Sequence, residues 1–289
     1  MRRVFLIGNP VAGGGCLKKI KKAENILKEK GVYLESVLTK SQGDAETLAR
    51  EIKEKEKDAL VIVAGGDGTY NEVANGLCYS KIPMAILPMG TTSVLAKELK
   101  VPNSIEKAID IALNGKVYRV HLGKVKSSQK ERLFVLMVGV GFDGETVYGV
   151  NQRSKFKKLS YILSGVKTFF SYKPTKIILK NSESIECYSA VVAKASCYGG
   201  SFKISPDADL RKPFFYTFAS NTKSKFFLAT QIIGVIFGFH LKIKNAIYFR
   251  SENLKILGDA HVQIDGDYFG KTPIEVSIIK DAISLVFPQ

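Results

Sequence analysis

The sequence predicts an α/β N-terminal domain of the doubly wound type, followed by a β-rich C-terminal sandwich domain. Three observations carry this prediction. Apolar runs of strand length alternate with helical stretches from residue 3 to residue 115. Loops of glycine and other small residues follow three of those strands, at 9–15, 65–69 and 90–93. From residue 117 the pattern changes to many short strands separated by turns, which suits an antiparallel sandwich or barrel. At 289 residues the chain exceeds the usual size of one compact domain, and the change of pattern divides it into 1–118 and 119–279.

Residues 3–7 read as a buried strand and 8–15 as a glycine-rich turn. Leu17, Ile20, Ala23 and Leu27 recur near helical spacing over 17–30, and Gly31 closes that helix as a C-cap. An alternating strand follows at 32–38, then a charged surface helix at 43–57. The run Ala59-Leu60-Val61-Ile62-Val63-Ala64 is the central strand. After it, Val73, Ala74 and Leu77 share one face of a 3.6-residue period, so Gly65-Gly66-Asp67-Gly68-Thr69 sits at a strand-to-helix crossover. Another strand at 83–87 precedes Pro88-Met89-Gly90-Thr91-Thr92-Ser93 and helices at 94–99 and 105–113. In the second part, strands are expected at 120–125, 134–140, 176–179, 189–195, 214–220, 246–249, 255–257, 261–264, 274–279 and 284–287. Two apolar helical inserts with basic flanks interrupt them, at 155–170 and 226–241. Each fits a core-packing helix, and each also fits a lipid-binding mouth or an interfacial contact.

Alternating strands and helices imply a parallel sheet, whose ligands bind beyond the carboxyl ends of the strands. The three small-residue loops all lie at such ends. Glycine there lets the backbone approach a ligand closely. The start of the following helix offers unpaired N–H groups and a partial positive charge, which suit a phosphate. A tight βα turn explains one such loop, but three on one sheet edge point to a phosphate-binding site.

Lys and Arg number 43 against 27 Asp and Glu, a formal net charge of +16. That excess favours anionic partners: nucleotides, nucleic acid or an acidic membrane surface. Nucleic acid is disfavoured, because the basic residues are not interleaved with aromatics on a recognisable module. Cys16, Cys78, Cys187 and Cys197 show neither zinc spacing nor a disulfide framework, and three histidines do not make an imidazole-built metal site. No apolar run has transmembrane length and the N-terminal apolar stretch is too short for a signal-peptide core. A cytoplasmic protein is expected, with peripheral contact at the inner face of the membrane.

Taken together, Asn9-Pro10-x-Ala12-Gly13-Gly14, Gly65-Gly66-Asp67-Gly68-Thr69-x-Asn71-Glu72 with Asn75-Gly76, Pro88-x-Gly90-Thr91-Thr92, Gly139-x-Gly141-Phe142-Asp143 and Asp265-Gly266-Asp267 resemble the diacylglycerol kinase catalytic domain family. That family includes bacterial soluble lipid kinases, diacylglycerol kinases, sphingosine kinases and ceramide kinases. The motifs follow the family's order and span nearly the whole chain. The Gly-Gly-Asp-Gly-Thr core alone is shared with NAD kinases and some phosphofructokinases.

The resemblance implies an NAD kinase-like α/β nucleotide domain and a β-rich lipid domain, with the last strand, 280–289, returning to the first. It implies ATP and Mg²⁺ as cofactors, and a lipid hydroxyl as acceptor: diacylglycerol, phosphatidylglycerol or a sphingoid-like lipid. Asn9, Gly13, Gly14, Gly15, Thr39, Gly65, Gly66, Asp67, Gly68, Thr69, Asn71 and Thr92 would hold ATP. Asp67 would engage Mg²⁺ or be hydrogen-bonded within its turn. Phosphoryl transfer also needs a base near the acceptor hydroxyl. In the family this base is the carboxylate closing an Asp-Gly-Glu segment. Here the segment is Asp265-Gly266-Asp267, so Asp267 takes the base position with a reach shorter by about 1.5 Å. Asp265, Asp267 and Asp67 are thus the catalytic candidates, although Asp265-Gly266-Asp267, between Val262-Gln263-Ile264 and Tyr268-Phe269, equally fits a plain hairpin turn.

Two further departures bear on activity. Ser93 stands where the family has asparagine. Pro206-Asp207-Ala208-Asp209-Leu210-Arg211 runs into Lys212-Pro213, where bacterial members carry an Asp-Gly that helps hold a structural Mg²⁺. A protonated lysine cannot ligate a cation, so that metal site is expected to be absent, with Lys212 in the ion's electrostatic place; Asp207 and Asp209 remain as candidate ligands. An NAD kinase-like enzyme with a soluble acceptor is one alternative. A nucleotide-binding relative that has lost catalysis is the other, motivated by Asp267, Ser93 and Lys212 together. Bacterial relatives also leave room for a homodimer.

Overall fold

The computed structural model describes residues 2–90, 93–151, 165 and 167–289. The expected insert at 155–170 lies outside these residues except for 165 and 167–170, which are helical. The chain divides into two compact units. Unit 1 comprises Met1–Leu122, Gly199–Ser201 and Lys280–Gln289, and unit 2 comprises Gly123–Tyr198 and Phe202–Ile279.

Unit 1 alternates as the sequence predicts: β1 (Arg3–Gly8), α1 (Cys16–Glu29), β2 (Tyr33–Leu38), α2 (Asp44–Lys55), β3 (Ala59–Gly65), α3 (Asp67–Gly76), β4 (Pro83–Pro88), α4 (Val94–Glu98) and α5 (Ile105–Asn114). The sheet runs β2-β1-β3-β4, and the end of the C-terminal strand Ile274–Phe287 lies parallel beside β4, with Ser284 opposite Pro83. Every residue of β3 is buried, as its unbroken apolar run requires of a central parallel strand. The register sets Gly8 opposite Ala64 and Gly65 opposite Pro88. The loops after β1, β3 and β4 therefore leave from one edge of the sheet.

Unit 2 contains β5 (Lys116–Lys126, entering from unit 1), β6 (Glu131–Phe134), β7 (Met137–Val140), α6 (Phe142–Asn151), β8 (Ile177–Lys180), β9 (Ser184–Cys187), β10 (Ser189–Ala193), β11 (Cys197–Tyr198) and β12 (Phe202–Lys203). It continues with β13 (Phe215–Ser220), α7 (Lys225–Phe237), a 3-10 turn (His240–Lys242), β14 (Ala246–Ser251), β15 (Asn253–Gly258), β16 (His261–Ile264), β17 (Asp267–Lys271) and the first part of β18 (Ile274–Phe287). One antiparallel sheet runs β14-β13-β10-β7-β16-β17. The other pairs β18 with β15, β15 with β8 and β8 with β9, again antiparallel. Val138, Val140, Val192, Phe215 and Val262 of the first sheet share one core with Ile177, Leu179, Ile256 and Val276 of the second. This is the sandwich expected from the many short strands.

Several elements depart from the sequence expectation. The single strand expected at 134–140 is two strands, β6 and β7, because the chain between them turns to meet Asp265. The strands expected at 274–279 and 284–287 are one long strand, within which Asp281 has a φ of 49°. Helix α6 has no counterpart in the periodicity. Gly144, Thr146, Val147, Gly149 and Val150 are poor helix formers, but the helix packs tightly: a Cβ on Gly144 would lie 2.1 Å from the His261 carbonyl oxygen. The helix expected at 226–241 ends at Phe237, where Gly238 adopts φ 79° as its C-terminal stop.

Candidate active site

The three loops of unit 1 are tied to one another through Asn9, Gly13 and Asp67. Asn9 accepts the Val11 N–H on Oδ1 at 3.0 Å and donates from Nδ2 to the Thr69 hydroxyl at 3.0 Å. It thus joins the β1 loop to the first turn of α3. Gly13 lies against the third loop, where a Cβ would be 3.4 Å from the Met89 carbonyl oxygen. That carbonyl also accepts a bond from Lys19 Nζ at 3.1 Å. A Cβ on Gly65 would come within 2.8 Å of the Thr69 side chain, so only glycine lets the chain turn from β3 into α3 here. Gly14, Gly15, Gly66 and Gly68 have open space where a Cβ would point. Gly66 and Gly68 leave a bare backbone cradle at the N-terminus of α3, which fits a phosphate chain, and Gly14 and Gly15 leave open backbone at the start of α1.

Around this cradle, Tyr70 is fully buried and its hydroxyl donates to the Gly65 carbonyl at 2.8 Å, with the Leu87 carbonyl 3.1 Å away. Thr39 is buried at the end of β2, its N–H on the Gly8 carbonyl at 2.8 Å. Asn71 is buried within α3, where its carbonyl and side-chain oxygens accept from Asn75 Nδ2 at 2.8 and 3.1 Å. Thr92 lies outside the described residues.

Asp67 does not face the cradle. Its carboxylate accepts the Val94 and Leu95 N–H groups at 2.9 and 3.0 Å, and lies 3.4 Å from the Ser93 hydroxyl. Burial pushes its pKa up, against the opposing pull of those N–H bonds. Ser93 in turn caps the same short helix, accepting the Ala96 N–H at 3.1 Å. Asp67 therefore positions the third loop instead of offering a bare anion to phosphates. A carboxylate cage for Mg²⁺ is absent from the described residues of this cluster, so the ion would be held here only together with nucleotide phosphates.

The Asp265-Gly266-Asp267 turn joins β16 to β17 in unit 2. Asp265 and Gly266 have φ of 48° and 92°, the left-handed pair of a two-residue hairpin turn. Asp265 is spent on structure. Its carboxylate accepts the N–H groups of Val135, Leu136 and Met137 at 2.8, 2.9 and 2.8 Å, which fixes the link between β6 and β7. Asp267, at the other side of the turn, is exposed. The Gly266 N–H donates to Gln263 Oε1 at 2.7 Å, and Gln263 Nε2 donates to Asp143 Oδ2 at 2.6 Å. Tyr198 donates to the other oxygen of Asp143 at 2.5 Å. Asp143 is buried, which raises its pKa against these two bonds. The motif at 139–143 thus reaches the Asp265–Asp267 turn through Gln263. Asp265→Asn keeps an oxygen for the Leu136 and Met137 amides but sets an NH₂ group against Val135. We expect a loss of about 1–3 kcal/mol, read as a lower urea midpoint at unchanged slope.

The segment in which Lys212 is expected to take the place of a structural cation does enclose an ammonium, that of Lys194. Lys194 is 0% exposed, and its ammonium donates to the carbonyl oxygens of Asp209, Lys212 and Phe214 at 2.9, 2.6 and 3.1 Å. Asp209 accepts from the Arg211 N–H, Nε and Nη2 at 2.8, 3.0 and 2.8 Å. Burial alone would raise its pKa, but the bonds from Arg211 and the nearby Lys194 charge hold it below the usual carboxylate range. These groups do not fit a divalent ion, because an ammonium already fills the ring of carbonyls. The positive charge comes from Lys194, not from Lys212, whose side chain is exposed and which contributes its carbonyl. Lys194, Gln263 and Tyr198 escape sequence reasoning. The available signal for Lys194 is a lone cation within the apolar strand Ala190-Val191-Val192-Ala193-Lys194-Ala195.

Comparison with known proteins gives a consistent result. The diacylglycerol kinase catalytic domain matches residues 3–125, and the YegS C-terminal NAD kinase beta sandwich-like domain matches residues 136–287. The diacylglycerol kinase of Bacillus subtilis (strain 168) is 29% identical over 303 residues, covering 100% of this chain and 97% of its own length. That of Staphylococcus epidermidis (strain ATCC 12228 / FDA PCI 1200) is 27% identical over 300 residues, covering 100% and 93%. Among solved structures, a diacylglycerol kinase from Bacillus anthracis str. Sterne superposes with a TM-score of 0.71 at 20% identity, covering 99% of this chain and 97% of that one. Another chain from that organism reaches 0.80 at 22% identity, covering 99% and 95%. With both domain matches in their expected order, and the second alone spanning more than half of the protein, this chain belongs to the diacylglycerol kinase catalytic domain family.

Proposed function

We propose that the protein is an ATP-dependent lipid kinase that transfers the γ-phosphoryl group to a lipid hydroxyl. The observation that carries this reading is the bare-backbone cradle of unit 1, where Gly66 and Gly68 stand open at the start of α3 and Asn9 ties the first loop to Thr69. The diacylglycerol kinase names of the relatives support a lipid as acceptor. Unit 1 is then the nucleotide domain and unit 2 the acceptor domain.

In this reading Asn9, Gly13, Gly14, Gly15, Thr39, Gly65, Gly66, Gly68, Thr69, Asn71 and Thr92 hold the nucleotide. Asp67 acts through the third loop, which it fastens to the start of α3. Mg²⁺ bound with ATP supplies charge neutralisation on the phosphates. Asp267 takes the proton of the lipid hydroxyl while that oxygen bonds to the γ-phosphorus, and the bond to the β-phosphate oxygen breaks to release ADP. Asp265 positions Asp267 by fixing the turn on which both stand.

The test is transfer of labelled γ-phosphate from ATP, with Mg²⁺, to diacylglycerol, phosphatidylglycerol and a sphingoid base in detergent micelles, with NAD as a soluble rival. A labelled lipid is the expected product and its mobility names the acceptor. Label on NAD alone would reverse the reading. Label on no acceptor, with ATP binding retained by calorimetry, would point to a relative that has lost catalysis.

A further inference from the structure

Helix α7 carries no charged residue from Phe226 to Phe237, and Gly238 and Phe239 extend the uncharged run. A helix that is apolar on every side is ordinarily enclosed. Here one stripe is enclosed: Leu228, Gln231 and Gly234 are buried, and a Cβ on Gly234 would lie 2.7 Å from His240 Cα. The opposite stripe is not, with Phe226 71% and Phe237 75% exposed and Ile233 and Ile236 exposed between them. Phe239 stacks on Phe237 at 6.5 Å, and exposed Phe170 adjoins the helix start, its carbonyl accepting a bond from Lys225 Nζ. A contiguous apolar patch of this kind marks an interaction site.

The charge around the patch selects the partner. Between Asp209 and Glu252 there is no acidic residue but there are seven lysines and arginines, within a protein of net charge +16. Two copies meeting through this face would bring like charges together. An anionic bilayer satisfies both features: its acyl boundary takes up the aromatic and aliphatic side chains, and its headgroup phosphates attract the lysines.

We propose that the exposed face of α7 docks the protein on an anionic lipid bilayer, with Phe226 and Phe237 entering the acyl boundary. Flanking Lys223, Lys225, Lys242 and Lys244 meet the headgroups. Docking in this way delivers the chain to a surface, and it goes beyond the choice of acceptor.

The experiment is co-sedimentation of the full-length protein with vesicles of phosphatidylglycerol and of phosphatidylcholine, without nucleotide, so that it stands apart from the kinase reading. Wild type is expected to sediment with phosphatidylglycerol, and less so as salt rises. Phe226→Ser with Phe237→Ser should weaken that binding roughly tenfold or more, and Lys242→Glu with Lys244→Glu should weaken it and flatten its salt dependence. Both double variants change exposed side chains, and an unchanged melting temperature would certify their folds. Phosphatidylglycerol binding that the phenylalanine variant leaves intact would overturn the proposal. So would a concentration-dependent dimer that the same variant abolishes, since it would give the face to a second copy.

Discussion

Lys194→Ala is expected to lower stability by about 3–5 kcal/mol, because it removes a fully buried ammonium and leaves three carbonyl oxygens without their donor. The loss should appear as a lower urea midpoint with the slope unchanged. Lys194→Met keeps most of the volume but supplies no donor, so it should recover only the packing part of the loss. If methylammonium in the buffer restores stability to the alanine variant and not to wild type, the ammonium itself holds the Asp209–Phe214 segment. Wild type should also melt at the same temperature with and without a chelator, since the carbonyls are already satisfied. A chelator-sensitive wild type, or an alanine variant as stable as wild type, would remove Lys194 from this role.

Asp267→Asn should lower kcat for the lipid acceptor by roughly 10²–10⁴-fold, the usual contribution of a positioned general base. The KM for ATP should stay near its wild-type value, because the loops proposed to hold the nucleotide follow β1, β3 and β4 in unit 1. Stability should fall far less than activity, because the turn is fastened by Asp265 to the 135–137 amides and by Gln263 to the Gly266 N–H. Asp267→Glu extends the carboxylate by one methylene toward the length usual in the family, and kcat should hold or rise. A loss in kcat equal to that in thermal stability would make Asp267 a structural residue like its neighbour Asp265.

Much of this molecule could be read from the chain itself. The alternation of strands and helices in unit 1 and the short strands of unit 2 follow from apolar periodicity, which depends only on local spacing. The three small-residue loops are legible for the same reason: they fall at strand ends, and a parallel sheet must carry those ends on one edge. The relation of Gly65 to Thr69 is also local, a contact across four residues.

What a side chain does once buried was not legible. Asp67 and Asp265 stand in motifs that suit a catalytic or metal-binding group, and Lys194 is a lone cation in an apolar strand. Their partners lie at 94–95, 135–137 and 209–214, segments that only the folded backbone brings close. Helix α6 was hidden because its β-branched residues and glycines oppose a helix, and close packing against β16 outweighs that local preference. The apolar composition of α7 was plain in the sequence, but burial is decided by neighbours, and only the tertiary structure leaves Phe226 and Phe237 facing outward. The sequence by itself determined the order of the elements in unit 1, the glycine cradle and the motifs of the family, all consequences of spacing along the chain. The tertiary structure decided which charges are consumed inside the protein and which apolar groups stay outside, because both depend on contacts between residues far apart in sequence.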